Sequence, residues 1–146
     1  MNYELLYSAY TLTIAVFWLL LIVAPKWSWT DRMVHSAFVP LALFAWIIVL
    51  SVLGPPTPEG AGMGSLAAVR VLIGTEQGTL AIWTLLMGWD LLAGAWLARD
   101  ARRRGIHHAW VVACLVLAFL FGIVGLVLYL LVRLALKRAL TMHEVR

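Results

Sequence analysis

Charged residues are scarce in this chain of 146 residues, where Asp, Glu, Lys and Arg together make up only 12%. Hydrophobic residues make up 64%, and the mean hydropathy is +0.95. A soluble domain carries about 25% charged residues, so this composition excludes an ordinary soluble protein. The length allows one domain, and almost every long segment is apolar. We therefore expect a single integral membrane domain over residues 1–146.

Cysteine and metal-binding motifs are also lacking. The single cysteine, Cys114, lies in an apolar run, which makes an intrachain disulfide impossible and leaves the redox compartment undefined. The sequence has no HExxH or CxxC motif and no carboxylate–histidine pattern with metal-ligand spacing, so no metal is predicted and no cofactor is indicated. The net charge of +4 comes from short arginine-rich stretches, which suit anionic lipid headgroups better than nucleic acid.

Four apolar runs of about 20 residues each match the ~30 Å hydrocarbon thickness of a bilayer at the ~1.5 Å rise of an α-helix. They predict an all-α fold, an antiparallel bundle of four transmembrane helices with both termini on one side of the membrane. The first run lacks the basic start and the cleavage site of a signal peptide, so we expect it to be retained. The four runs are Leu5–Ala24, Val34–Leu53, Gln77–Ala98 and Trp110–Val132.

The basic residues of the loops leave the orientation of such a bundle nearly undecided. Four spans place Lys26, Arg32 and the arginines of 99–104 on one side of the membrane. Short loops weigh most in the positive-inside rule, which weakly favours a cytoplasmic position for this first group. The expected location is a bacterial inner membrane. The other side carries Arg70, Arg133, Lys137, Arg138 and Arg146.

An aspartate, Asp90, lies in the middle of the third run. An ionised carboxylate at that depth costs roughly 2.5–3.5 kcal/mol even on insertion scales, so such a residue normally faces the bundle interior and has a partner. Glu76 and Trp83 precede Asp90 at seven-residue intervals, which places the three along one stripe of the helix. Asp90 either locks the bundle by accepting hydrogen bonds or transfers protons in an intramembrane site. We favour the second interpretation.

Glu76 and the histidines are weaker candidates. Glu76 stands where the third helix starts, and its charge also suits the helix dipole there. His107 and His108 are adjacent on a helix and point in different directions, so they form no metal clamp; an interfacial role suits them as well as catalysis. His35 stands at the mouth of the second run and is a ligand or base only if the bundle brings it near Asp90.

Three tryptophans, Trp83, Trp89 and Trp96, lie on the third run and spread over different faces of the helix. Interfacial anchoring and packing are the ordinary roles of such residues, and those beside Asp90 could also flank a long apolar ligand. In the fourth run, Gly122 is spaced with Gly125 so that another helix or a flat ligand can approach closely. Of these two roles we expect close helix packing.

Several short segments occur in a characteristic order along the chain. They begin with Ala24-Pro25-Lys26, continue with Glu76, Trp83, Asp90-Leu91-Leu92, Gly94-Ala95-Trp96, Asp100, Gly105-Ile106 and His108, and end with Cys114-Leu115 and the run 119–126. In this order and at these spacings the chain resembles the abscisic-acid-deficient-four family, small four-helix membrane proteins that include plant neoxanthin synthase. The resemblance covers nearly the whole chain and rests on a distributed pattern.

The resemblance implies a carotenoid-modifying membrane protein, which in the plant members isomerises a xanthophyll epoxide to an allenic alcohol without a redox cofactor. By position, the polar residues of the family pattern match Asp90, Glu76 and His108, and its aromatic residues match Trp83 and Trp96. The chain departs from the pattern two residues after the family tryptophan, where Leu85 stands in place of an expected histidine.

The leading hypothesis is a membrane protein that converts a carotenoid or another long apolar isoprenoid by acid–base isomerisation, with Asp90 as the acid and Glu76 or His108 as the base. One alternative is a non-catalytic carotenoid- or lipid-binding subunit of a larger membrane enzyme. Another is a small proton-relay or transport protein that uses Asp90. The expected partners are the isoprenoid, membrane lipids, and either a second copy of the chain or a membrane enzyme. The substrate-binding candidates are Trp83, Trp89, Trp96 and His35.

Overall fold

The structure, a computed structural model, describes residues 2–139, so Arg146 and the charge assigned to it lie outside the described part. Within that part the chain forms seven α-helices and no strand, which confirms the all-α prediction. The helices are α1 (Tyr3–Val23), α2 (Ser28–Met33), α3 (Phe38–Leu53), α4 (Leu66–Ile73), α5 (Glu76–Arg103), α6 (His108–Phe121) and α7 (Ile123–Lys137).

The two longest helices, α1 and α5, pack against each other. Each begins at a side-chain cap: Oδ1 of the Asn2 side chain accepts from the Leu5 N–H at 3.1 Å, and the Thr75 hydroxyl accepts from the Gly78 N–H at 2.9 Å. The Tyr10 hydroxyl of α1 donates to the Thr84 carbonyl of α5 at 2.8 Å. By length and composition, α1 and α5 are the two described helices that could cross a membrane. A bundle of four spanning helices is therefore not confirmed.

The second predicted span is shorter than expected, because α3 begins at Phe38 rather than at Val34. Proline is accepted in the first turn of a helix, where Pro40 stands. The helix ends before Gly54, and the Gln77 side chain donates to the Leu50 carbonyl of its last turn at 2.8 Å. This bond satisfies one of the carbonyls that a helix end leaves without a partner.

The fourth predicted span differs most from the expectation, because residues 110–132 do not form one continuous helix. The run breaks at Gly122, whose φ of +53° and ψ of −108° are available to glycine and costly for other residues. Beyond this turn the chain folds back along α6, so closely that a Cβ on Gly125 would collide with the backbone of Ala118 and the Cys114 carbonyl. We call α6, Gly122 and α7 together the C-terminal hairpin.

The C-terminal hairpin changes which residues share an end of the bundle. A straight fourth helix would place Arg133 at the opposite end from the loop that joins α5 to α6. Instead, Arg133 Nη1 donates to Asp100 Oδ2 near the end of α5, at 3.0 Å. The placement of Arg133, Lys137 and Arg138 opposite the 99–104 arginines is therefore corrected. We call the end at which α1 and α5 end and α6 begins the basic end.

The core lies between α1, α5 and the C-terminal hairpin. Trp18 of α1 is buried against Gly94, where a Cβ would lie 2.6 Å from the indole ring, and it also contacts the Phe119 ring at 5.6 Å. A larger residue at position 94 would therefore push α1 and α5 apart. The core also includes the fully buried Leu21, Leu91, Leu97, Ala101, Leu115 and Tyr129.

Candidate functional site

A cavity of about 390 Å³ lies between the N-terminal halves of α1 and α5. Glu76 and Trp83 both line it, so two members of the predicted stripe face the same space. We call this cavity the aromatic cleft. Its other lining residues include Tyr3, Glu4, Tyr7, Thr79, Ile82 and Leu86.

The walls of the aromatic cleft are held by contacts between α1 and α5. The rings of Tyr7 and Trp83 lie 5.8 Å apart at 44°, and the Trp83 indole N–H donates to the Thr11 hydroxyl at 3.4 Å. Flat, partly buried rings with fixed orientations suit an extended apolar ligand. Glu76, the first residue of α5, is exposed at the far end of the cleft.

Asp90 lies one helical turn beyond Leu86, outside the lining of the cleft, and is partly buried. Its carboxylate lies against the turn of the C-terminal hairpin: a Cβ on Gly122 would be 2.8 Å from Oδ1 and 3.1 Å from Oδ2. Within residues 2–139, no group donates a hydrogen bond to this carboxylate. The alternative in which Asp90 locks the bundle by accepting hydrogen bonds therefore has no support among the described residues.

The C-terminal hairpin covers only half of α5. Its turn lies at Asp90, and its contacts with α5 run from there toward the basic end, where Tyr129 packs against Trp96 with ring centroids 5.9 Å apart. The N-terminal half of α5, which carries the cleft, has no hairpin helix against it. Phe121 and Ile123, on either side of the turn, are exposed. Asp90 thus lies at the boundary between the half of α5 that the hairpin covers and the half that carries the cleft.

His108 lies far from the other catalytic candidates. It is the first residue of α6, at the basic end, and its Nε2 lies 3.0 Å from the Ile22 carbonyl oxygen. It lines a different cavity, of about 650 Å³. Glu76 and Asp90 are separated by 14 positions of α5, which corresponds to about 21 Å along the helix axis. The three residues are therefore not gathered around one point.

Trp89 and Trp96 face different surroundings from Trp83. Trp89 is 69% exposed and lies with Leu85 in a shallow groove between α3 and α5. The departure from the family pattern at Leu85 therefore lies outside the aromatic cleft. Trp96 packs edge-on against Tyr129 and lies under the Arg133 guanidinium at 5.9 Å, a packing role within the bundle.

His35 lies in the connection between α2 and α3, and its side chain is only 4% exposed. Its Nε2 lies 4.0 Å from Asp31, and neither ring nitrogen has a hydrogen-bond partner among the described residues. Burial and then the positive charge of Arg99 lower the pKa of His35 to about 4. Because its charged neighbours belong to the basic end, His35 is not near Asp90.

Sequence reasoning missed a buried polar cluster around Asp100. Its carboxylate accepts from Arg104 Nε at 2.9 Å, from Arg133 Nη1 at 3.0 Å and from the Tyr129 hydroxyl at 2.5 Å. Asp100 and Arg133 are 6% and 0% exposed, so each compensates the charge of the other. The sequence feature that could have predicted this cluster is Gly122 in the middle of a long apolar run, because only a reversal of the chain there brings Arg133 to Asp100.

No group of three or more His, Cys, Asp or Glu side chains in the described range 2–139 is arranged to hold a metal ion. The chain is thus a small, strongly apolar helical protein with an aromatic cleft and, beside a helix turn, the Asp90 carboxylate, to which no group within residues 2–139 donates a hydrogen bond. The ABA DEFICIENT 4-like (ABA4-like) family matches residues 5–129, and the chain belongs to this family. Membership implies a carotenoid-related role. No curated protein and no solved structure matches the chain.

Proposed function

We propose that the chain is an integral membrane protein that binds a carotenoid or a similar long isoprenoid and isomerises it by acid–base catalysis at Asp90. Family membership supports the substrate class. The observation that carries the site is the Asp90 carboxylate, which has no hydrogen-bond donor within residues 2–139 and lies beside Gly122, one turn beyond the aromatic cleft.

In the proposed membrane arrangement, α1 and α5 cross the bilayer, the shorter α3 and the connection after it return the chain between them, and the C-terminal hairpin enters from the basic end and returns. The 14 and 15 residues of α6 and α7 correspond to about 21 and 22 Å, less than the hydrocarbon thickness of ~30 Å. Large apolar side chains are exposed on the outer faces of these helices, which suits contact with lipid. Examples are Leu12, Leu19, Phe44, Trp89, Leu120 and Ile123.

The substrate would lie along the aromatic cleft with its reacting end at Asp90. In this arrangement the aromatic walls exclude water from a polyene, and Asp90, one helical turn beyond Leu86, sets its register. The exposed Glu76 stands at the other end, where it can accept a hydrogen bond from a hydroxyl group on the second ring of the substrate.

For an epoxide substrate, Asp90 would carry both proton transfers. Its carboxylic acid donates a proton to the epoxide oxygen as the carbon–oxygen bond breaks, and the resulting carboxylate accepts a proton from the neighbouring polyene carbon, whose electrons form the allene. The alcohol is released, and the acid is restored without a redox cofactor. Glu76, about 21 Å away along the helix axis, does not reach the same epoxide. His108 bonds to the Ile22 carbonyl at the basic end.

A second candidate function is a pigment-binding subunit without catalysis. It is favoured by the same aromatic cleft, since rings alone are sufficient to hold a polyene. In that case Asp90 would accept a hydrogen bond from a pigment hydroxyl group and transfer no proton.

Pigment analysis separates these functions. The wild-type chain and Asp90→Asn would each be purified and reconstituted in liposomes that contain an epoxy-xanthophyll, with Glu59→Gln, an exposed loop residue, as the control. We expect a new pigment with the wild type and with Glu59→Gln, and none with Asp90→Asn. Unchanged pigment that stays bound to all three proteins would support the binding subunit. If the wild-type protein formed no product and retained no pigment, both proposals would be overturned.

A further inference from the structure

A second cavity, of about 650 Å³, is separate from the proposed pigment site. It lies at the basic end, between the end of α1, the end of α5 and the start of α6. Among the described residues that line it, four carry a lysine, arginine or histidine side chain, and none is Asp or Glu. We call it the basic cavity. These four residues are Lys26, Arg102, His107 and His108.

The positive charge in the basic cavity is only partly compensated. Lys26 forms no ion pair and no hydrogen bond within residues 2–139. Arg102 donates to the Pro25 carbonyl at 2.8 Å and to Asp31 at 3.2 Å, which holds its guanidinium at the wall. Asp31 therefore compensates the charge of Arg102, and the charge of Lys26 has no carboxylate partner within residues 2–139.

The start of α6 adds further donors. His107 Nδ1 accepts from the Ala109 N–H at 3.3 Å, which leaves Nε2 of the neutral ring as a donor. The positive end of the 14-residue helix points in the same direction. Lys26, the His107 ring and this helix end thus converge from different elements on one cavity.

The surroundings strengthen this local charge. Of the ten Lys and Arg residues within 2–139, nine lie at the basic end and only Arg70 lies elsewhere. The described acidic residues at this end are Asp31 and Asp100, both already paired with arginine. Such a distribution raises the local concentration of anions.

The other wall of the basic cavity is apolar. Val23 of α1, Ile106 and Val111 line it, and Trp27 is 51% exposed beside them. A ligand that is complementary to both walls has a negatively charged head group and an apolar tail. Phosphate is the anion that suits a lysine, an arginine and a helix start together.

We propose that the basic cavity binds the phosphate group of an anionic membrane lipid, with an acyl chain along Val23 and Val111. The phosphate oxygens accept from Lys26, Arg102 and His107. This site lies at the opposite end of α5 from the aromatic cleft and does not depend on carotenoid chemistry.

Native mass spectrometry of the full chain in detergent tests the site. The protein would be titrated with phosphatidylglycerol, with phosphatidylcholine of the same acyl chains, and separately with inorganic phosphate. We expect preferential binding of phosphatidylglycerol and a loss of about five-fold in affinity for Lys26→Ala, the contribution of one cation near a membrane surface. We expect this variant to fold, because Lys26 is exposed and forms no hydrogen bond or ion pair within residues 2–139.

Arg70→Ala is the matched control, since it removes an exposed cation at the other end of the molecule. It should leave phosphatidylglycerol binding unchanged. Equal binding of the two lipids, or an equal loss for Arg70→Ala and Lys26→Ala, would overturn the proposal in favour of diffuse attraction. Inorganic phosphate that displaces phosphatidylglycerol from the wild type, with the same dependence on Lys26, would assign the site to free phosphate and overturn the lipid.

Discussion

The Asp90 carboxylate lies directly against Gly122, so that a Cβ on Gly122 would approach its two oxygens to 2.8 and 3.1 Å. The contact joins the middle of α5 to the turn of the C-terminal hairpin. Gly122 is required there for two reasons: its positive φ, and the space that the carboxylate occupies. The position of the Asp90 carboxylate and the reversal of the chain at Gly122 therefore depend on the same contact.

Gly122→Ala should destabilise the protein by about 1–3 kcal/mol through backbone strain, and further through the collision with Asp90. Gly105→Ala is the control, because Gly105 also has a positive φ, of +61°, with open space around its Cα. Thermal unfolding in detergent would measure both. Equal losses of stability in the two variants would show that Asp90 does not press on the turn.

Asp90→Asn should lower turnover of the pigment by about 10²–10⁴-fold while folding and pigment binding persist, because the amide keeps the shape of the side chain but transfers no proton. Product formation and retained pigment would be measured on the same purified sample. Undiminished turnover would exclude the carboxylate from the mechanism and leave the binding subunit as the better explanation.

Glu76→Gln and His108→Ala separate the residues that sequence reasoning named as the base. Both lie far from Asp90 in the structure, so neither change should reduce turnover as much as Asp90→Asn. Glu76→Gln should mainly weaken binding of a substrate that carries a hydroxyl group on its second ring. A loss with either variant as large as that with Asp90→Asn would restore that residue as the base.

The sequence predicted the helices whose signals are local. Three of the apolar runs mark α1, α3 and α5, and these helices follow the prediction within a few positions. The reversal at Gly122 escaped prediction, because a glycine inside an apolar run is equally compatible with close packing of a straight helix. The stripe of Glu76, Trp83 and Asp90 followed from helical periodicity, whereas the contact between Asp90 and the hairpin turn depends on tertiary structure.

Asp100→Ala should cost about 3–5 kcal/mol, because it removes the buried carboxylate with which the fully buried Arg133 forms an ion pair. Asp31→Ala is the control: Asp31 also pairs with an arginine, Arg102, but it is exposed, and such a pair contributes about 0–1 kcal/mol. Denaturation of both variants in detergent would provide the comparison. Similar small effects would mean that the buried cluster does not hold α7 against α5.

Cysteine labelling tests the C-terminal hairpin in the membrane. In a Cys114→Ala background, single cysteines would replace Glu59, Arg103 and Lys137. The hairpin predicts that positions 103 and 137 react from one side of the membrane and position 59 from the other. A straight fourth helix predicts instead that positions 59 and 137 share a side, so a membrane-impermeant reagent distinguishes the two topologies.

The buried His35 should make the stability of the protein depend on pH. Burial of the imidazole, and then the positive charge of Arg99, lower its pKa from the ordinary 6.5 to about 4. The folded state therefore favours the neutral ring, and this contribution to stability is complete above pH 6.5 and is lost as the pH falls from 6.5 toward 4.

His35→Leu should remove that part of the acid destabilisation, because an apolar side chain does not titrate. It should cost little at neutral pH, because neither ring nitrogen has a hydrogen-bond partner within residues 2–139. Met33→Leu, a partly buried neighbour, should keep the wild-type pH profile. Thermal unfolding between pH 4 and 8 would compare the three proteins, and parallel profiles for the wild type and His35→Leu would contradict a buried neutral histidine at this position.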